Sequence, residues 1–86
     1  MIKPIEVRAI KKYELYVRFN DGVEGVVDLS HLKKGKAFEY WQRAGNFEKV
    51  YIDDDSIAWN ENLDIDALNI YLKLTKQTFK KIAPLQ

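Results

Sequence analysis

Leu15, Val17 and Phe19 alternate with Tyr16 and Arg18; beyond Asn20-Asp21-Gly22, Val23, Gly25, Val27 and Leu29 alternate with Glu24, Val26 and Asp28. A two-residue period of this kind marks paired strands, and no other segment restricts the fold so tightly, because the loop between them sets the register. A two-residue Asp-Gly loop sets Phe19 against Glu24 and Leu15 against Asp28, mixing charge with apolar side chains on one face. A three-residue loop, Asn20 to Gly22, pairs Phe19 with Val23, Val17 with Gly25 and Leu15 with Val27. The second register keeps one face apolar and corresponds to a type I turn followed by a left-handed residue, a place suited to Gly22. Gly25 within the strand predicts a bulge or a bulky neighbour lying across it.

The rest of the chain is read around this hairpin. Ile5, Val7 and Ala9 alternate with Glu6 and Arg8, predicting a first strand that turns near Lys11 and Lys12. Loops centred on Lys11 or on Lys12 both match apolar faces, so the register of this first hairpin stays open within a three-stranded antiparallel meander. Asp28 or Ser30 can cap a short helix ending at Gly35. Ala37 to Ala44 reads as a second short helix carrying Phe38 and Trp41 and stopped by Gly45. Phe47 to Ile52 and Ile57 to Trp59 read as a second strand pair joined by the turn-forming Asp53 to Ser56. Leu68, Tyr71, Leu72, Thr75, Phe79 and Ile82 follow a three-four helical spacing, with Asp66 as cap and Pro84 near the stop. Lys73, Lys76 and Lys80 fall on another side of that amphipathic C-terminal helix. The expected class is α+β: meander, two short helices, strand pair and closing helix, in a single domain over residues 1–86.

Composition narrows the function classes. A chain of 86 residues buries roughly 60 to 65% of its unfolded surface in one core. An apolar content of 47% with 31% charged residues is globular rather than disordered. The absence of cysteine excludes disulfides and thiolate metal sites. No apolar run suits a membrane span or the middle of a signal peptide, so a soluble, cytoplasmic protein without membrane contact is expected. Net charge is +1, but four of the 14 basic residues, Lys73, Lys76, Lys80 and Lys81, lie after residue 66; the ten that remain face 13 acids, a net of −3. Asp53, Asp54, Asp55, Glu61, Asp64 and Asp66 form an acidic run before the basic tail.

Phe19-Asn20-Asp21-Gly22, Gly25-Val26-Val27-Asp28-Leu29, Phe38, Phe47, Ile57-Ala58-Trp59 and Asp64-Ile65 occur in an order and spacing that resembles domain of unknown function family 2442. The resemblance covers about residues 5–68 and leaves 69–86 as a C-terminal helical extension. It implies a small bacterial α+β domain without established catalytic residues, and a possible antitoxin-like role beside a second small gene product. Asn60 stands where such relatives commonly have proline, and Leu68-Asn69 where a Leu-Tyr pair opens the closing helix, with Tyr71 displaced.

The residues offer four site chemistries. Asp28, Ser30 and His31 superficially supply orienter, nucleophile and base. Adjacent helical residues do not face each other, however, so a capping serine and a partly exposed histidine are expected, with no enzyme activity. Asp53-Asp54-Asp55-Ser56 concentrates oxygen ligands, yet Ile57 and the missing glycine break the calcium-loop pattern; a solvated turn is expected, with neither metal nor cofactor. Lys73, Lys76, Lys80 and Lys81, aided by Lys33, Lys34 and Lys36, are candidates for weak nucleic-acid binding. The leading expectation is a small protein partner. Tyr13, Tyr16, Tyr40, Tyr51, Tyr71, Trp41 and Trp59 are residue types favoured at interfaces, although Trp59, Phe19 and Phe38 are expected in the core. Tyr16 and Arg18, on the strand face opposite Phe19, are the partner-binding candidates, provided that no helix covers them. An unpaired first strand would also permit a homodimer by strand addition.

Overall fold

A computed structural model of the protein describes residues 1–32 and 35–82, with side chains through residue 76. Lys33, Lys34 and Pro84 lie outside the described residues. The element order is β1 (Pro4–Lys11), β2 (Glu14–Phe19), β3 (Glu24–Asp28), a 3-10 turn (Ser30–Leu32), α1 (Lys36–Gln42), a second 3-10 turn (Phe47–Lys49), β4 (Tyr51–Asp53), β5 (Ser56–Asn60), β6 (Leu63–Asp66) and α2 (Ala67–Ile82). Two antiparallel three-stranded sheets, β1-β2-β3 and β4-β5-β6, make this an α+β fold.

The hairpin adopts the three-residue loop. Leu15 pairs with Val27 and Val17 with Gly25; the Phe19 N–H donates to the Val23 carbonyl at 2.8 Å, and Gly22 has φ +96°. Asp21 and Asn20 do more than turn the chain. Asp21 Oδ1 accepts the Val23 N–H at 3.0 Å. Asn20 binds the N-terminal segment, its Oδ1 accepting the Lys3 N–H at 3.1 Å and its Nδ2 donating to the Met1 carbonyl at 2.8 Å. The open register of the first hairpin resolves to the loop centred on Lys12, with Val7 opposite Val17 and Ala9 opposite Leu15 and a shift at each end of β1. Tyr13 turns the chain there at φ 72°, a conformation that costs a non-glycine residue about 1 kcal/mol or more. Its ring is held by Phe38 at 5.3 Å and by Phe47 at 5.9 Å.

Leu15, Val17, Phe19, Val27 and Leu29 face the core together with Trp41, Phe47, Ile57, Trp59, Ala67, Ile70 and Leu74. The two sheets approach along β1 and β4, while α2 packs on β3 from one and on β5 and β6 from the other. Gly25 makes that closure possible. A Cβ there would lie 2.8 Å from Leu74 Cδ2, so the bulky neighbour expected across this glycine is the α2 leucine. The Trp59 indole donates to the Phe47 carbonyl at 2.9 Å, and Trp41 packs at 4.9 Å from Trp59.

Four expectations are corrected. Phe47–Lys49 is a 3-10 turn, and β4 begins only at Tyr51. The i+3 spacing of Phe47 and Val50 fits such a turn, and the Lys49 N–H donates to Asn46 at 3.1 Å. The second strand pair gains a third member, β6, in which Leu63 and Ile65 alternate with the more exposed Asp64 and Asp66. In the sequence the acids of this strand also continue a charge run, which masks their period of two. α2 buries Ala67, Ile70 and Leu74 rather than Leu68 and Leu72, which are 51% and 52% exposed. The helix carries two apolar stripes, and the sheets take the one that brings Leu74 over Gly25. Asp66 caps as expected, accepting the Leu68 N–H at 3.0 Å. Phe38 is only half-buried: it stacks on Tyr13, itself only partly buried, while Trp41 one turn on reaches the core.

Candidate functional site

Successive side chains of a strand point to opposite faces, so the buried positions of β2 place Tyr16 and Arg18 on the outer face of β1-β2-β3. Register then assembles their neighbours: Glu6, Arg18 and Glu24 form one cross-strand row, and Arg8, Tyr16 and Val26 the next. Val26 is 44% exposed and Arg8 and Glu24 are exposed, so no described helix lies over this face.

The charged side chains are linked to one another. Arg18 donates from Nε at 3.2 Å and from Nη2 at 3.1 Å to Glu6 Oε1. Arg8 Nε donates to Glu6 Oε2 at 3.1 Å and its guanidinium lies 4.6 Å from the Tyr16 ring centroid. The Tyr16 hydroxyl donates to Glu24 Oε1. The hydrogen bond from Arg18 is the main influence holding the Glu6 carboxyl below its ordinary value; desolvation opposes it and Arg8 reinforces it. Donation to Glu24 raises the Tyr16 hydroxyl, and Glu6 raises Arg18. At neutral pH the face therefore presents two guanidinium groups, two carboxylates and a neutral phenol, fixed by mutual contacts around apolar Val26. Such a surface can recognise a partner by complementary charge and ring contact.

Tyr16 and Arg18 lie on the outer strand face, where alternation places them, and the register sets Glu6, Arg8, Glu24 and Val26 beside them. The β2-β3 register puts Glu24 and Val26 on this face, and either β1 register, the two differing by two residues, puts Glu6 and Arg8 there as well; only their partners on β2 differ between the two. Most of the other aromatic candidates are used elsewhere. Trp41 and Trp59 are buried, Tyr13 sits in the aromatic cluster, and Tyr71 packs edge-on against Phe19 at 5.1 Å while donating to Asp21 at 2.6 Å. Tyr51, 42% exposed, lies on the other sheet.

Ser30 and His31 are not brought together for proton transfer. The Ser30 N–H donates to Asp28 Oδ1 at 2.8 Å. Hydrogen bonding from the Ser30 hydroxyl is the main cause that lowers the Asp28 carboxyl. His31 Nδ1 instead lies 3.2 Å from the Asp28 carbonyl and 3.3 Å from Lys73 Nζ, a contact that turns Lys73 toward the Ser30–Leu32 turn. Lys76 is exposed, and the side chains of Lys80 and Lys81 lie outside the described residues, as do Lys33 and Lys34. In the acidic turn, Asp54 pairs with Lys3 at 3.2 Å. Among the described residues no three His, Asp or Glu side chains converge to hold a metal ion, and no helix is long and apolar enough to cross a membrane.

The family model described as protein of unknown function DUF2442 matches residues 4–76, which include both sheets and α2 as far as Lys76. The chain belongs to the DUF2442 family. The DUF2442 match thus takes in Lys73 and Lys76, beyond the stretch ending near residue 68 that carries the sequence resemblance. No curated protein and no solved structure matches this DUF2442 chain significantly.

Proposed function

We propose that this DUF2442 protein is a non-catalytic, cytoplasmic interaction or regulatory domain that engages a small protein partner through the outer face of β1-β2-β3, with Tyr16 and Arg18 at its centre. One observation carries the reading: a broad strand face left open to solvent holds its arginines, carboxylates and phenol in fixed mutual contacts. Fixed side chains lose little rotamer freedom on binding, and arginine and tyrosine are the residues most often responsible for interface energy. A role as the antitoxin-like half of a two-gene pair is included in this proposal. The test is capture of tagged protein from its source cells with and without nuclease, in wild-type and in Tyr16→Ala/Arg18→Glu forms. A stoichiometric small protein that survives nuclease and is lost from the double variant is expected. Equal recovery by the two forms would refute the assignment of this face.

The alternative is weak nucleic-acid binding by Lys73, Lys76, Lys80 and Lys81, favoured by the exposed Lys76 beside Lys73 on α2. Recovery abolished by nuclease and by Lys73→Gln/Lys76→Gln, with a shallower salt dependence in the variant, is the outcome that reading requires.

A further inference from the structure

The outward stripe of α2 is unaccounted for by the core. Leu68 and Leu72, one turn apart, are 51% and 52% exposed, and at the start of the helix they continue into Met1 and Ile2, 98% and 38% exposed. Met1, Ile2 and Leu68 line one shallow depression with Asp55 and Asp66; Leu72 lines the next, with Lys73, Thr75 and Lys76. The exposed stripe therefore has an acidic end and a basic end. Asp55 and Asp66 form no ion pair among the described residues, and neither does Lys76.

We propose that this stripe binds a second copy of the same chain, the two α2 helices lying antiparallel across a two-fold axis near Leu72. A two-fold axis makes the surface meet itself. Leu72 then packs near its symmetry mate, Leu68 meets Thr75 of the other copy, and Lys76 of each copy reaches Asp55 and Asp66 of the other. A parallel arrangement would place acid on acid and base on base. The antiparallel one joins opposite charges at both ends and also opposes the two helix dipoles favourably. Helix α2 has 16 residues and is therefore about 24 Å long, so the contact falls at or below the low end of specific interfaces. A weak, reversible, concentration-dependent dimer is therefore expected. The alternative self-contact through β1 is disfavoured, because Pro4 and a register shift at each end of β1 blunt that edge.

Sedimentation velocity of the full chain across a concentration series, at low and high salt, tests the proposal. The wild type is expected to pass from monomer to dimer with rising concentration and to dissociate more readily at high salt, since the end contacts are exposed ion pairs. Leu72→Glu and Lys76→Glu should each weaken the dimer about tenfold or more, and Lys76→Glu/Asp55→Lys should restore part of the affinity. Circular dichroism melts matching the wild-type monomer would show that the variants fold. Tyr16→Ala should leave the dimer unchanged, which separates this interface from the proposed partner face. A monomer at every concentration would overturn the proposal, as would a dimer indifferent to Leu72→Glu, including one formed with a different surface.

Discussion

Substituting Gly25 probes the seating of α2 most sharply. Its Cβ position lies 2.8 Å from Leu74 Cδ2, closer than two carbons approach, and Leu74 is 2% exposed, so the leucine has little space into which to retreat. Forcing an extra methyl group into a packed core costs about 1–3 kcal/mol, whereas replacing glycine within a strand returns about 0.5–1 kcal/mol. Gly25→Ala is therefore expected to destabilise by about 1 kcal/mol. Leu74→Ala alone, which leaves a cavity, should cost about 2–5 kcal/mol. In Gly25→Ala/Leu74→Ala the new methyl group occupies vacated space and the overpacking cost disappears, so the double variant should be more stable than the sum of the singles by about 2 kcal/mol, within the usual range for residues in contact. Urea unfolding with unchanged slopes measures all three. A stabilising Gly25→Ala together with additivity to within about 0.5 kcal/mol would refute the close approach of α2 to β3.

Trp59→Phe strands the buried Phe47 carbonyl that now accepts its indole N–H, a cost of about 1–3 kcal/mol. Trp41 has a buried indole nitrogen with no hydrogen-bond partner among the described residues, so Trp41→Phe should cost less when both are compared by denaturant unfolding. The pH dependence of stability follows from the carboxyls. Glu6, Asp21 and Asp28 are held below their ordinary values of 4.5, 3.8 and 3.8, chiefly by hydrogen bonds from Arg18, Tyr71 and Ser30. Their contribution is present above those ordinary values and is lost as pH falls through the lower folded-state values. Tyr16 and Tyr71 are raised above 10.0 by donation to Glu24 and Asp21, so their contribution is lost as pH rises beyond 10. Thermal melts across pH should show both declines, and Tyr71→Phe should shrink each. His31→Ala should leave partner capture nearly intact; its complete loss in a folded variant would reopen a chemical role for the imidazole.

The hairpin was legible because its two apolar faces and its Gly22 turn admit one consistent register. Gly25 likewise announced a close neighbour, although no local pattern could name Leu74, nearly fifty residues away. β6 is poorly legible because Leu63-Asp64-Ile65-Asp66 carries two signals in four residues, an acidic run and an alternation, and the first masks the second. On α2 both stripes have helical spacing, so periodicity alone could not choose between Leu68-Leu72 and Ala67-Ile70-Leu74; packing over Gly25 makes that choice. At the candidate site, Tyr16 and Arg18 follow from strand alternation alone. Glu6 and Arg8 share that face in either β1 register, but their partners on β2 need the register itself, which the apolar pattern does not decide.

The most direct measurement of the central claim is an NMR titration of isotope-labelled protein with the partner recovered by capture. Shift changes concentrated at Glu6, Arg8, Tyr16, Arg18, Glu24 and Val26, and absent from the Tyr16→Ala/Arg18→Glu variant, are expected. Changes confined to α2 or to the second sheet, or a capture that yields no protein partner, would contradict it.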